Sequence, residues 1–263
     1  MKHMIKLIAL VLVCSFCLPM MVGCSDDNQL IMATNATFPP YEYKEGDSYA
    51  GIDVEIAKLI AEKLDMELVI KDVEFDSIIA GVKSGKYSMG MAGMTVTEER
   101  KQSVSFSDTY ATGIQSVIVT ADSQYTSFED FYTGFDDKGN PTGVKEGVKI
   151  GVQQGTTGDI YSSSTPAEWG FGEENVTRYK TGSDAVQALK SGKVTAVIID
   201  NEPAKSYVAA TSGLKIMEGE YTNEEYAICV SKDNPELLKK INEALAELKA
   251  EGKIQEIIDK YIK

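Results

Sequence analysis

The chain has 263 residues, 43% of them hydrophobic, with 26 Lys and Arg against 40 Asp and Glu and a formal net charge of −14. A surface this acidic keeps a protein soluble and repels nucleic acid and anionic lipid, so neither is expected as a partner. The length is enough to bury a sizeable core, or two lobes of roughly 100 residues each.

The first element is a leader. Lys2 and Lys6 precede an apolar run over 7–13 that continues less purely to Val22, and "SDDNQ" follows. This reads as a secretory signal over residues 1–23 rather than a membrane-spanning anchor, for which the run is nearly long enough. The segment "MVGC" resembles a lipobox, with Met21 where Leu is commoner, and makes Cys24 the lipidated first residue of the mature protein. One acyl chain binds membranes marginally and several hold stably. The expected location is therefore extracytoplasmic, tethered by a lipid at Cys24 to the outer face of the plasma membrane or in the periplasm. Loss of the leader removes Cys14, Cys17 and His3, the only histidine, and takes the net charge to −16. What remains besides Cys24 is Cys229, in the apolar run "YAICVS", expected as a buried small hydrophobe. No disulfide can form within the chain, and histidine triads and the usual His or Cys zinc sites are excluded. Neither a metal nor a cofactor is expected.

"LIMATNATF" (30–38) reads as a short strand ending near Asn35, and "GIDVEIAKLIAEKLDM" carries Ile52, Ile56, Leu59, Ile60 and Leu64 close to helical spacing. "FDSIIAGVKSG" is a shorter helix with Asp76 as the expected N-cap, and its glycine sits where a helix end favours a left-handed residue. "YSMGMA" then reads as an apolar strand covered on both faces. In "GMTVTEERKQ", Thr97 is the expected N-cap of a further helix. The position three residues on usually carries Glu or Gln and here carries Arg100, one of two arginines with Arg178. A cation in a first turn opposes the helix dipole at about 0.3–1 kcal/mol, and a bound anion would reverse that cost. The plain alternative is an ion pair with Glu98 or Glu99.

Residues 132–147 read as a turn-rich insertion whose "DDKGN" lacks the ligand spacing and closing Glu of a calcium loop. "VKIGVQQGTT" (148–157) is a strand and glycine turn, and 162–175 is a loop with the only tryptophan as a packing anchor. "GSDAVQALKSG" is a helix with Ser183 as the expected cap, followed by the strand "VTAVIID" and the helix "NEPAKSYVAA". The C-terminus is a helix, a break near Gly252, and a second helix. Two echoes run through this order. Residues 80–95 match 187–202 on their SGK turns, setting Gly93 opposite Asp200, and 30–38 match 148–157, setting Asn35 opposite Gln153. Alternating strands and helices make the class α/β with mostly parallel sheets, and ligands then bind beyond the carboxyl ends of the strands. Two similar halves would face each other across a cleft.

A guanidinium fork, helix-start amides near Thr95 and Thr97, and the hydroxyls and amides of "GTTG" suit a carboxylate. Asp200 at the end of an apolar strand would be costly to bury unpaired, and a ligand ammonium would satisfy it. An anion site beside a cation site describes an α-amino acid. Taken singly each residue has a plainer reading: Asp200 as a helix cap, Phe38 and Phe75 as core.

"ATNATFPPYEY", "GIDVEIAKLIAEKL", "AGMTVTEERKQSVSFSDTY", "VQQGTT" and "VIID" together resemble the polar amino-acid family of extracellular solute-binding proteins that serve ABC importers, over nearly all of 30–263. The resemblance implies a two-lobed periplasmic-binding-protein fold of type II, two mostly parallel sheets joined by hinge crossovers near 110–114 and 222–226. Lobe 1 would be 28–111 with 225–263, and lobe 2 would be 112–224. It implies that Arg100 clamps the α-carboxylate with Thr95, Thr156 and Thr157, and that Asp200, the Gly93 carbonyl and the Thr95 hydroxyl take the ammonium. Phe38 and Phe75 would sandwich the side chain, with Asn35 and Gln153 at its tip. Many relatives that hold cationic or amide side chains carry Asp at position 35, so Asn35 argues against a dedicated lysine or arginine site and favours a neutral polar side chain such as glutamine. The implied function is non-catalytic: a monomer that closes over an L-amino acid and presents both lobes to a membrane permease. The rivals are a dehydratase of cyclic carboxylic acids and an extracellular sensor module. The first needs an acid–base pair, and the sequence shows no second acid near Asp200.

Overall fold

The computed structural model describes residues 28–219 and 222–262; the expected leader 1–23 and Cys24 lie outside the described residues. A five-strand sheet and a six-strand sheet carry the fold, and five strands of each follow the same plan. In the first, Gln29–Thr34 lies parallel to Glu67–Asp72 on one side and to Met89–Gly90 on the other, and Cys229–Ser231 then runs antiparallel between Met89–Gly90 and Val104–Phe106. In the second, Ile150–Gln153 lies parallel to Val176–Tyr179 and Ala196–Asp200, and Ala111–Thr120 runs antiparallel between Ala196–Asp200 and Leu214–Ile216. The two sequence echoes fall on equivalent strands of the two sheets, so the repeat is structural.

The strand Ala111–Thr120 also forms the junction between the lobes. Its first residues pair antiparallel with Asn223–Tyr226, Ala111 opposite Tyr226 and Ile114 opposite Asn223, before its later residues enter the second sheet. Gly113 is required there, because a Cβ at that position would lie 2.1 Å from the Tyr226 hydroxyl oxygen. Gly113→Ala is expected to lower unfolding stability by about 1–3 kcal/mol, an overpacking cost read from a urea titration.

The helices cover the sheets by their apolar stripes. Ile52–Lys63 buries Ile52, Ile56 and Ile60, and Pro235–Ala250 buries Leu237, Ile241, Leu245 and Leu248 against the first sheet's side of the core. Val117, Phe131, Ile150, Phe171 and Ile198 form a separate core in the second lobe. Gly252 breaks the C-terminal helix with φ 74° and opens Lys253–Tyr261. The SGK glycines, Gly85 and Gly192, likewise sit just past helix ends at φ 74° and 73°. Cys229 is buried and unpaired.

Two expected caps are displaced. The helix Phe75–Lys83 begins after Glu74, so Asp76 lies in its first turn with its carboxylate turned to Gln154 at 2.8 Å. The helix Gly182–Lys190 is capped by Thr181, whose hydroxyl accepts from the Asp184 amide at 3.1 Å, in place of Ser183. Thr and Ser two residues apart offer equivalent hydroxyls, and the helix phase selects between them. The insertion 132–147 forms a hairpin of Tyr132–Phe135 with Pro141–Val144, and the Asp136 carboxylate accepts from the Lys138 and Asn140 amides inside the turn. Trp169 is 36% exposed and packs edge-on to Tyr132. No helix among the described residues is long and apolar enough to cross a membrane.

Candidate functional site

All ten residues named from the sequence as ligand contacts meet between the lobes. Asn35, Phe38, Phe75, Gly93, Thr95, Arg100, Gln153, Thr156, Thr157 and Asp200 line one pocket, together with Glu42 and Ala92. The reason is topological: Asn35, Gln153 and Asp200 end or follow strands, and Arg100, Thr156 and Thr157 start helices, at the carboxyl edges of the two sheets, and the two edges face one another.

Arg100 lies in the first turn of Glu98–Ser103, capped by Thr97, whose hydroxyl accepts from the Arg100 amide at 3.1 Å. Its side chain is 6% exposed and turned away from Glu98, which pairs with Lys101 instead. One guanidinium nitrogen donates to the Thr95 carbonyl at 2.7 Å and another to the Gly155 carbonyl at 3.0 Å, so it already spans the two lobes. The guanidinium carbon sits 5.4 Å from the Phe75 ring centre, a cation–π arrangement. Burial pulls the guanidinium below its ordinary range, and the Glu224 and Asp200 carboxyls oppose that.

Asp200 ends the strand Ala196–Asp200 and is 6% exposed. It occupies the cap position of Asn201–Ala210 but its side chain makes no capping bond; it accepts from the Tyr226 hydroxyl. The cap reading is thus correct for the backbone and incorrect for the carboxylate. Gly93, at φ +51°, donates its amide to Asp53 at 2.7 Å, and a Cβ there would meet the Phe38 ring at 3.0 Å. Asn35 and Gln153 bond directly across the cleft at 2.9 Å, while Asn35 also donates to the Val73 carbonyl at 2.8 Å. Thr156 caps Thr157–Ser163 by accepting from the Asp159 amide at 3.3 Å and gives its proton to the Gln153 carbonyl at 2.8 Å. Its hydroxyl is therefore already committed to its own turn. Thr157 accepts from Gln115 at 3.3 Å and lies 3.5 Å from the Thr95 hydroxyl.

Further contacts close the rim. Gln154 donates to Asp76 at 2.8 Å, Lys180 pairs with Glu74, and the Tyr207 hydroxyl donates to the Thr37 carbonyl at 2.5 Å.

Several acids were not read from the sequence. Glu42 lines the pocket, is 1% exposed, and its carboxyl hydrogen-bonds to that of Asp53. Burial and the neighbouring Asp53 carboxyl push it well above the usual carboxylate range. Asp53, itself pushed up to about 7 by burial, also accepts from the Tyr110 hydroxyl at 2.9 Å. Glu224 accepts from the Thr95 hydroxyl at 2.7 Å and from Gln115 at 3.2 Å. The expectation of no second acid near Asp200 is therefore incorrect: Glu224 acts on it electrostatically, and Asp200 in turn acts on Glu42. The signal was present as acids beside tyrosines in short strands, in "YEY" and "EEYAI". Alternation gives one face of such a strand to the core, and an acid on that face has to be accounted for.

Comparison with known proteins agrees with this architecture. The model of the bacterial extracellular solute-binding proteins, family 3, matches residues 30–263. The arginine-binding extracellular protein ArtP of Bacillus subtilis (strain 168) is 34% identical over 240 residues, 90% of this chain and 87% of that one. The ABC transporter arginine-binding protein 1 of Escherichia coli (strain K12) is 28% identical over 262 residues, 97% of this chain and 98% of that one. An ancestral arginine-binding protein solved with glutamine bound superposes with a TM-score of 0.78 at 37% identity, covering 89% of this chain and 98% of that one. These relatives are binding proteins rather than enzymes. With two lobes of matched topology, a pocket formed by both, and a family match over residues 30–263, the chain belongs to the bacterial extracellular solute-binding proteins, family 3.

Proposed function

We propose that the chain is the substrate-binding component of an ABC importer, capturing an L-amino acid with a polar side chain between its closing lobes and delivering it to a membrane permease. One observation carries this: a buried arginine and a buried aspartate line the same pocket, with Phe38 and Phe75 beside them. Arg100 takes the α-carboxylate, Asp200 with Thr95 and the Gly93 carbonyl takes the α-ammonium, and the two phenylalanines hold the side chain toward Asn35 and Gln153. Thr157 assists at the carboxylate; Thr156 contributes through the turn that its hydroxyl maintains. In this reading lobe 1 comprises 28–111 and 225–263, lobe 2 comprises 112–224, and the hinge lies where they meet. The leader 1–23 is removed, Cys24 is lipidated, and a monomer works tethered at the outer face of the cell membrane.

Two side-chain classes compete. The carboxamides of Asn35 and Gln153 favour a neutral amide such as glutamine, which the ancestral relative holds in its solved structure. Glu42 favours a cationic side chain: it supplies the acid that position 35 lacks, and ArtP is an arginine-binding protein. A thermal-shift screen of the common amino acids decides between them. A ligand at a hundredfold excess over its Kd adds about 2.7 kcal/mol, a rise of roughly 5–10 °C for a protein of this size. Glutamine or arginine should produce the largest rise; no rise with any amino acid would overturn the proposal.

A further inference from the structure

We propose that Arg178 and Asp159, neither of which lines the pocket, are positioning residues of the ligand site: together they set the turn 153–155 by which the second lobe meets the first. This rests on the amino-acid reading above.

Three consecutive residues of that turn each bond to the first lobe. The Gln153 side chain donates to Asn35 at 2.9 Å, the Gln154 side chain donates to Asp76 at 2.8 Å, and the Gly155 carbonyl accepts from Arg100 at 3.0 Å. Gly155 has φ +75°, and a Cβ there would lie 3.0 Å from the Asp76 Cβ, so the backbone itself passes close to the other lobe. The orientation of this turn therefore decides what Arg100 meets across the cleft.

Asp159 holds the turn from behind, twice. Its carboxylate accepts from the Gly155 amide at 2.9 Å, which fixes the peptide entering that residue. Its own amide donates to the Thr156 hydroxyl at 3.3 Å, and that hydroxyl donates to the Gln153 carbonyl at 2.8 Å, which fixes the chain leaving it. In a capping box the acid three residues after the cap returns to the cap residue's own amide. Asp159 reaches one residue further back, to Gly155, and Arg178 keeps it there. The Arg178 Nε donates to both Asp159 oxygens at 2.8 and 2.9 Å, and its other two nitrogens donate to the Ser163 hydroxyl at 2.8 Å and to Glu173 at 2.7 Å. Ser163 in turn donates to Asp159 at 3.0 Å. A planar fork engaged on every side has little freedom to swing, and a point charge could not take its place. Asp159 is 5% exposed, so its carboxylate needs that partner.

The strand Val176–Tyr179 places Arg178 by register, opposite Val152, and the Tyr179 carbonyl accepts from the Gln154 amide at 2.9 Å. The two arginines of the chain thus stand at opposite ends of one connected set of bonds: Arg178 to Asp159, Asp159 to Gly155, Gly155 to Arg100. Arg100 faces the pocket, and Arg178 acts on the ligand through the turn.

The test is a double-mutant cycle read by calorimetry, with L-glutamine and L-arginine as probes, well below the melting temperature. Arg178→Ala should raise the Kd of whichever amino acid binds by roughly tenfold, as a loosened support misplaces the contacts it carries. In the Arg100→Ala background the same substitution should cost about threefold or less, because the group that the turn is set against is gone. A merely structural role would lower the melting temperature and leave the Kd of the folded protein unchanged. An unchanged Kd in the folded variant, or the same full loss with and without Arg100, overturns the inference alone. Should Arg178→Ala not fold, Asp159→Asn decides by the same cycle: it keeps the shape, removes the charge that Arg178 holds, and should show the same coupled loss. Binding of neither amino acid by the unaltered protein overturns the amino-acid reading and this inference with it.

Discussion

Arg100→Ala is expected to weaken binding of glutamine or arginine by roughly 30-fold or more in calorimetry, with the folded state retained by circular dichroism. Removing one partner of a buried, hydrogen-bonded charge pair costs about 2–5 kcal/mol, and about 1.4 kcal/mol is tenfold in Kd. The guanidinium is almost fully buried, so solvent screening does little to soften the loss. The fold should tolerate the change, because the bonds that Arg100 makes go to two carbonyls near the pocket, and the helix cap depends on its backbone amide. Arg100→Lys keeps the charge but not the fork, and should recover only part of the affinity. Wild-type affinity in the alanine variant would remove Arg100 from the carboxylate site.

The second large effect is expected at Asp200, and there stability and affinity should move in opposite directions. Asp200→Asn removes the negative charge facing the ammonium and should again cost roughly 30-fold or more in Kd. The free protein should gain. A carboxyl raised by burial in the folded state contributes stability that is complete below its ordinary range and is lost as pH rises through about 7. The asparagine variant is free of that loss, so its melting temperature should exceed the parent's by a few degrees at about pH 8 and by less at about pH 5. A melting temperature that falls more at pH 8 than at pH 5 would contradict the assignment of Asp200 as a strained, ligand-directed acid.

The parts of this site that could be read in the sequence share one property: they lie at strand ends within a repeat. Matching SGK turns set Gly93 against Asp200, and that match alone brought two halves of the pocket into correspondence. Arg100 was legible because it broke a capping pattern, and a broken local rule at a glycine turn points to a function outside the helix. Asp76 and Ser183 were misread because a helix start with two eligible polar residues is decided by tertiary packing. The buried acids were missed for a different reason. Glu42 begins one short strand and Glu224 lies inside another, and an acid in such a segment looks like its solvent face until register and burial are known. Glu224 is buried while its neighbour Glu225 is exposed, a distinction that depends on which face of the hinge strand turns inward.

The junction between the lobes has a mechanical consequence. Ala111–Thr120 is a single unbroken strand that belongs to the hinge ladder at one end and to the second sheet at the other. A joint of this kind behaves as a torsion bar: a modest change of twist over several residues reorients one lobe while the ladder bonds persist. Little backbone bonding then has to be broken and remade in each cycle. The preference between shapes is then set by what the two cleft faces offer each other, chiefly Arg100 with Gly155, Gln153 with Asn35, and the rim pairs around Glu74 and Asp76.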